Sequence, residues 1–312
     1  MNKKVQIRTT SIIGLSKNAG KTTFLNFLIQ KKQQNKVRLA TASIGVDGEK
    51  ADLLSGKEKP SIWIPEGTIV ATTAAGLKEG TASFRILEIV EDSSMLGPTF
   101  LAQALSGGTV KLMGTPTVDS VRKIIKMLEV YSVDEFLIDG AFDRMAGAAP
   151  LLADQVYLVI GASLHQDKRI LWQLVEEKLK PFFYPQVSND EIRLAIENGK
   201  IEASNWIFVK GILTEKTLNK IMKQQKGLTI ILDHGLKSFL SREMLMKWNR
   251  MGGDIQVLYP IEIAGIAINP YSPEGYRFSA NEMKEKTQAI LHKYNHGDIE
   301  IINVFDYKNL GE

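Results

Sequence analysis

The sequence predicts an α/β protein with a mostly parallel β-sheet, helices on both faces of that sheet, and a β-rich insertion. Short apolar runs rich in β-branched residues alternate with segments of helical periodicity, as in consecutive strand–helix–strand units. The 312 residues are 44% hydrophobic, so the chain can bury a large core. A glycine-containing turn, residues 14–22, joins the first predicted strand to the first predicted helix.

The first elements along the chain form one such unit. Residues 10–15 and residues 37–44 are apolar runs typical of buried strands. Between them, residues 21–33 have apolar side chains at a spacing of four, which keeps one face of a helix apolar. A later apolar run ends at Asp139 and predicts another buried strand.

The alternation of strands and helices stops in residues 60–91. Three strand-like runs follow one another there without a convincing helix, so we interpret residues 60–91 as a β-rich insertion. This insertion belongs to a core of residues 1–150. Residues 151–312 either continue the α/β fold or form a smaller second domain.

A hairpin is predicted within the second part of the chain. Residues 191–203 alternate around Glu197-Asn198-Gly199, and Asn-Gly is the strongest short-range signal for a two-residue hairpin turn.

Composition excludes several classes of protein. The chain has no cysteine, so it has no disulfide framework, no thiolate nucleophile and no cysteine ligands for zinc or iron–sulfur clusters. The net charge is only +4, without a dense stripe of lysine and arginine, so we expect no nucleic-acid partner. No apolar stretch approaches membrane length and the first residues lack a signal-peptide core. We therefore expect a cytoplasmic protein without a membrane partner.

The turn after the first strand matches the phosphate-binding pattern G-x-x-x-x-G-K-[ST] at every fixed position. Glycines let such a loop point its backbone N–H groups inward at an anion, and the following helix directs its positive end at the phosphates. Lys21 can reach the β- and γ-phosphates, and the Thr22 hydroxyl can ligate Mg²⁺. The pattern predicts a P-loop NTPase sheet that binds ATP and Mg²⁺. The predicted nucleotide contacts are Gly14, Lys17, Asn18, Ala19, Gly20, Lys21, Thr22 and Thr23.

Lys17 precedes Lys21 by four residues. The septum-site type of P-loop ATPase has its additional, trans-acting lysine five residues before the invariant one, where this chain has Ser16. We therefore do not assign that role to Lys17, which either contacts phosphate or is a solvated loop lysine.

Two aspartates are candidates for the metal site. Ligands of open parallel sheets bind at the carboxyl ends of the strands. Asp139 closes the apolar run Phe136-Leu137-Ile138, as in a Walker B strand, and Asp47 follows the second predicted strand. Either could hold Mg²⁺ or orient the attacking water, and Asp139 together with Lys21 is the predicted catalytic pair. The alternative for both aspartates is a turn or helix-capping role before glycine.

Asn269 is a candidate for reading the nucleotide base. It follows the predicted strand of residues 263–268, and an asparagine at a strand end could bind the amide edge of adenine. The alternative is a simple exit from the strand into a turn. The guanine-recognition pattern [NT]-K-x-D is absent, which favours ATP over GTP.

Three motifs in order resemble the ATPase subunit of the lysine 5,6-aminomutase reactivase. They are residues 12–23 around the phosphate-binding loop, residues 43–49 around Asp47, and residues 138–144, which run from Ile138 through Asp139 to Asp143 and Arg144. The turn Asn269-Pro270 with Ser272-Pro273 resembles a late turn of the same family.

The resemblance implies an ATPase with a chaperone-like role. Such reactivases use ATP to release damaged cobalamin from adenosylcobalamin-dependent aminomutases, and they act with a second, MutS-like subunit. The implied partners are therefore that subunit and a cobalamin-dependent aminomutase. A homo-oligomer is also compatible with the sequence.

Two other functions fit the same motif. One is an ATP-dependent kinase or ligase of the dethiobiotin synthetase type, which would need a small acceptor beside the γ-phosphate. The other is a nucleotide-sensing adaptor without meaningful turnover, like the GTPase-like protein of molybdenum-cofactor assembly. Stimulation of hydrolysis by a protein partner favours the first function. Strict dependence on a small acceptor favours the kinase or ligase, and nucleotide binding without turnover favours the adaptor.

Overall fold

A computed structural model describes residues 7–44, 61–91, 97–113, 117–140 and 152–306. The chain forms two compact units, and the first contains Met1–Gln166 together with Ile263–Glu312. The second unit is Asp167–Glu262. Among the described residues, no helix has the length and apolar character needed to cross a membrane.

The secondary structure alternates as the sequence predicts. The described strands are β1 Arg8–Gly14, β2 Leu39–Ile44, β3 Ile62–Ile64, β4 Ile69–Thr73, β5 Phe84–Glu91, β6 Thr99–Ala104, β7 Gly108–Val110, β8 Glu135–Gly140, β9 Gln155–Gly161, β10 Trp206–Phe208, β11 Leu213–Thr214, β12 Thr229–Leu232, β13 Ser238–Phe239, β14 Asp254–Val257, β15 Ile263–Asn269 and β16 Ile301–Asn303. The described α-helices are α1 Lys21–Gln34, α2 Ala74–Lys78, α3 Val118–Leu128, α4 Lys168–Leu179, α5 Asp190–Glu197, α6 Glu215–Gln224, α7 Arg242–Arg250 and α8 Ala280–Lys293.

A nine-stranded sheet forms the centre of the first unit. Its order is β16-β15-β9-β1-β8-β2-β4-β6-β5. The strands from β16 to β4 are parallel, and β6 runs antiparallel to both β4 and β5. The prediction of an α/β fold with a large, mostly parallel sheet is confirmed, and this architecture is consistent with a P-loop NTPase-like fold.

Alternate residues of the central strands face two different apolar clusters. Leu137 of β8 packs in the cluster that contains Phe24 and Leu28 of α1. Its neighbour Ile138 packs in the cluster that contains Val121 of α3, because successive side chains of a strand point to opposite faces. Helices therefore cover both faces of the sheet, as the near-continuous apolar strands of a parallel sheet require.

The strands predicted in residues 60–91 are present, with a short helix among them. Strands β4 and β5 belong to the large sheet, α2 lies between them in sequence, and β3 pairs with β7 in a separate two-stranded sheet. Strands β4 and β5 extend the large sheet toward one edge. That they form an insertion stays a prediction.

The second unit has its own parallel sheet and core. Its sheet order is β10-β12-β14, and β11 pairs with β13. The side chain of Trp248 is fully buried in the main cluster of this unit, and its indole N–H donates to the carbonyl of Asp254 at 3.1 Å.

The division of the chain differs from the boundary predicted at residue 150. The first unit continues to residue 166 because β9 pairs with β1 in the large sheet. It resumes at residue 263 because β15 pairs with β9. In sequence, the smaller unit therefore lies between β9 and β15, and it does not include the last residues of the chain.

Residues 191–203 do not form the predicted hairpin. They begin inside helix α5, whose N-terminus is capped by Asn189, which accepts hydrogen bonds from the N–H groups of Glu191 and Ile192. The Asn-Gly pair ends this helix: Gly199 has φ +87°, and its N–H donates to the carbonyl of Ile196. The left-handed conformation that favours Asn-Gly in a hairpin is used here in a helix C-terminal motif.

Candidate functional site

The predicted phosphate-binding loop connects β1 directly to α1. Strand β1 ends at Gly14 and α1 begins at Lys21. Asn18 and Gly20 have left-handed backbones, with φ +59° and +100°, and Gly20 occupies the N-cap position of α1. Because glycine has no side chain to cap the helix, the first amides of α1 can be used by an anion.

The side chain of Lys21 runs back across the first glycine of the loop. A β-carbon added at Gly14 would lie 3.0 Å from Lys21 Cγ and 3.1 Å from Ala19 Cβ. A residue larger than glycine at position 14 would displace either the lysine or the loop. The structure thus brings Gly14, Ala19 and Lys21 together.

The end of β9 supports the loop from the neighbouring strand. The N–H of Leu15 donates to the carbonyl of Val159 at 2.9 Å. A β-carbon added at Gly161 would lie only 2.6 Å from Ala19 Cα, so the glycine is needed for this close approach. Gly161 is not part of the sequence motif. A strand ending in glycine beside a phosphate-binding loop is the only signal that could have pointed to it.

Asp139 lies near the carboxyl end of β8, between β1 and β2. It is level with Ile12 on β1 and with Ser43 on β2. Its side chain is 5% exposed, and its Oδ1 atom is buried without a hydrogen-bond partner among the described residues. A buried carboxylate oxygen without a partner is costly, so this atom calls for a cation or an ordered water.

The residues present fit a magnesium ion bound together with a nucleotide. The described residues contain no group of three or more histidine, cysteine, aspartate or glutamate side chains that could hold a metal by themselves. Mg²⁺ does not need such a group, since it usually binds one or two carboxylates, substrate phosphates and several waters. Asp139 and the Thr22 hydroxyl, at the start of α1, are the oxygen donors that the sequence predicts.

Several predicted residues lie outside the described part of the chain. Asp47 belongs to residues 45–60, and Asp143 and Arg144 belong to residues 141–151. The role of Asp47 at the metal therefore stays a prediction, and so does the resemblance of the segment around Asp143 and Arg144.

The side chain of Asn269 reaches the phosphate-binding loop. Asn269 ends β15, is 8% exposed, and is level with Gly161 on β9. A β-carbon added at Gly20 would lie 2.7 Å from Asn269 Nδ2. Its Oδ1 atom accepts a hydrogen bond from the N–H of Tyr271 at 3.1 Å, which fixes the turn after the strand. If Asn269 bound a base through both atoms of its side-chain amide, Oδ1 would have to accept a second hydrogen bond. The role of Asn269 in base recognition stays a prediction.

A cavity of about 430 Å³ opens beside that turn. The ring of Tyr271 packs edge-on against Phe305, with ring centres 4.9 Å apart. Ser279 caps α8 at the same cavity by accepting a hydrogen bond from the N–H of Glu282. The cavity is lined by Pro270, Tyr271, Arg277, Phe278, Ser279, Ala280, Asn303 and Phe305. Sequence reasoning identified the Asn269-Pro270 turn but none of these aromatic residues, because they come from three separate segments.

One histidine has a perturbed pKa, and it belongs to the second unit. Burial and the charge of Lys237 hold the pKa of His234 below its usual value, against the opposing effect of Asp233. This residue is not part of the phosphate-binding loop or of the strands that surround it.

Comparisons with known proteins do not identify a family. No protein-family model and no curated protein matches this chain. Among solved structures, a chain of the MinC:MinD cell division protein complex from Aquifex aeolicus is similar over 92% of this chain and 94% of its own length. The two are 12% identical, with a TM-score of 0.32. A likeness at this level says nothing about what the present chain binds, so the site is assigned from its own geometry.

Replacing Gly161 by alanine tests the support of the loop. The added β-carbon would meet the backbone of Ala19, so the loop must shift, and we expect tripolyphosphate to bind about tenfold more weakly. Calorimetric titration of both proteins measures this change. Gly211→Ala is the control, because its β-carbon would meet no atom within 4 Å. Equal affinity of Gly161→Ala and wild type would contradict the supporting role.

Proposed function

We propose that this protein binds Mg-ATP at residues 14–22 and hydrolyses it. One observation carries the proposal: a P-loop sequence connects β1 to α1, and the strand beside β1 holds a buried carboxylate oxygen that has no hydrogen-bond partner among the described residues. In P-loop NTPases, such a loop binds the β- and γ-phosphates, and an acidic residue on a strand beside it helps to hold Mg²⁺.

The residues of the candidate site have different roles in the proposed reaction. The backbone amides of the loop and Lys21 bind the phosphates and neutralise charge that develops on the γ-phosphoryl group. Thr22 and Asp139 hold the metal, with Asp47 as a further candidate. When bound, Mg²⁺ would supply positive charge that stabilises the phosphates as the bond to the γ-phosphoryl group breaks. Asp139 or Asp47 orients the water that attacks in line with the departing ADP.

The cavity beside Asn269 is the proposed site of the base. It begins at Pro270, the residue after the asparagine that reaches Gly20 of the loop. Tyr271 and Phe305 offer aromatic surface to a planar base, and stacking on such rings does not depend on which base is bound. The absence of a guanine-recognition motif is the reason for proposing ATP.

The proposed purpose of hydrolysis is the remodelling of a protein partner. The support is the resemblance of three ordered motifs to the ATPase subunit of an aminomutase reactivase, of which the loop and Asp139 lie in the described residues. In this form of the proposal, the nucleotide cycle drives exchange of damaged cobalamin on an adenosylcobalamin-dependent aminomutase, together with a MutS-like subunit.

Two substitutions separate nucleotide binding from turnover. Lys21→Ala removes the charge that contacts the phosphates, and we expect ATP affinity to fall about tenfold or more. Asp139→Asn keeps the size of the side chain but weakens the metal site, so we expect binding to persist and phosphate release to fall at least about tenfold. Phosphate release and calorimetric titration, with Mg²⁺ present, measure both. Wild-type turnover in Lys21→Ala would refute the site, and an unchanged rate in Asp139→Asn would transfer the metal role to Asp47.

Addition of the proposed partners tests the biological role. We expect phosphate release from ATP to rise when the protein is mixed with a cobalamin-dependent aminomutase and the MutS-like subunit, and GTP to be a poorer substrate. The assay is repeated with each partner alone and with Lys21→Ala as the control. Binding without any turnover would favour an adaptor, or a kinase or ligase that lacks its acceptor.

Tyr271→Ala tests the position of the base. Removing the ring from the cavity should weaken ATP binding about tenfold, since one stacked base contributes on this scale. Tripolyphosphate, which has no base, should bind the variant and the wild type equally. Equal loss for both ligands would show that the substitution disturbs the loop and would refute a base contact at Tyr271.

A further inference from the structure

Two serines connect the phosphate-binding loop to the turn that follows β9. Ser163 Oγ donates to the carbonyl oxygen of Lys17 at 3.1 Å, and Ser16 Oγ lies 3.1 Å from Ser163 Oγ. A hydroxyl group has a single proton, and that of Ser163 is used on Lys17. Ser16 must therefore donate to Ser163. The hydrogen bonds run in one direction, from Ser16 to Ser163 to the carbonyl of Lys17.

The last of these hydrogen bonds sets the orientation of one peptide group in the loop. The described residues contain no cis peptide bond, and in a trans peptide the C=O and N–H groups point in opposite directions. Because the Lys17 carbonyl points at Ser163, the N–H of Asn18 points away from Ser163. Asn18 also has the left-handed φ of +59°, which non-glycine residues adopt at a cost.

Left-handed residues are one element of the backbone conformation that binds anions. Successive N–H groups converge on an anion when right-handed and left-handed residues follow one another. In this loop the left-handed residues are Asn18 and Gly20. The direction of the Asn18 N–H therefore decides whether that group joins the anion site or faces away from it.

We propose that Ser163 is a positioning residue, which holds the Lys17–Asn18 peptide so that the Asn18 N–H faces the bound phosphate. The inference rests on the proposed function, because it assumes that the loop binds phosphate. Ser163 is not part of the P-loop pattern, and it follows Lys17 by 146 residues in the sequence. It reaches the loop because β9 pairs with β1 and because Gly161 lets the two segments approach.

Ser163→Ala is the direct test. The variant loses the hydrogen bond to Lys17, and we expect the Kd for tripolyphosphate and for ATP to rise about five- to tenfold. The KM for ATP should rise with it while kcat changes less, because a backbone amide that binds the phosphates acts on ground state and transition state alike. Ser163 is partly exposed, so we expect the thermal unfolding temperature to stay close to that of the wild type.

A matched serine pair elsewhere in the first unit provides the control. Ser83 Oγ and Ser106 Oγ are 2.9 Å apart. They lie next to β5 and β6, the two strands at one edge of the nine-stranded sheet. Ser106→Ala removes a hydroxyl–hydroxyl contact of the same kind and should leave the affinity for tripolyphosphate unchanged. A loss of affinity in Ser163→Ala no greater than in Ser106→Ala overturns the inference.

Ser16→Ala and the double variant test the direction of the hydrogen bonds. Without Ser16, Ser163 can still donate to Lys17, so Ser16→Ala should weaken binding less than Ser163→Ala. Once Ser163 is replaced, the hydrogen bond between the two serines is lost as well, so the double variant should bind like Ser163→Ala alone. Equal affinity of Ser163→Ala and wild type refutes the positioning role alone. Failure of the wild type to bind either tripolyphosphate or ATP refutes the proposed function and this inference together.

Discussion

The close approach of Gly161 to Ala19 is the contact on which the candidate site depends. Strand β9 lies beside β1, and only a glycine at its end leaves room for the backbone of the phosphate-binding loop. This approach brings the turn after β9, with Ser163, to one side of the loop. Strand β15 lies on the other side of β9, so Asn269 at its end reaches Gly20. The loop is thus built against the ends of two strands that are distant from it in sequence.

Such support has a thermodynamic consequence for binding. A glycine-containing loop would lose conformational entropy if it became ordered only around its ligand. Here the amide N–H of Leu15, the hydroxyl of Ser16 and the carbonyl of Lys17 each have a partner before any nucleotide is present. The left-handed backbone of Asn18 is held by these neighbours at a site where strain has a use. Under the proposed function, much of the cost of ordering the loop would therefore be met in folding, and more of the phosphate interaction would remain for affinity.

The sequence predicted those parts of the structure that depend on local chemistry. The loop motif could be recognised because each fixed position has its own physical reason, and the apolar strands around Asp139 could be recognised by composition. The helix at residues 190–197 was missed because Asn198-Gly199 provides a left-handed backbone equally well to a hairpin and to a helix end. The inserted unit could not be located because pairing of β15 with β9 depends on tertiary contact over about 100 residues. Ser163 and Tyr271 carry no motif, since a single hydroxyl or ring gains its role only from what the fold places beside it.

Some polar atoms of the site have hydrogen-bond partners within the protein, whereas one has none among the described residues. The carbonyl oxygen of Lys17 accepts a hydrogen bond from the Ser163 hydroxyl, and Asn269 Oδ1 accepts one from the N–H of Tyr271. Asp139 Oδ1 is buried and has no such donor among the described residues. The described residues therefore provide hydrogen-bond partners for the loop but none for Asp139 Oδ1. Under the proposed function, Mg²⁺ bound with nucleotide phosphates would satisfy this oxygen, because a buried carboxylate oxygen is stabilised most by a cation and Mg²⁺ takes its remaining ligands from phosphates and water. The proposal therefore expects the metal–nucleotide complex to bind more tightly than either component alone.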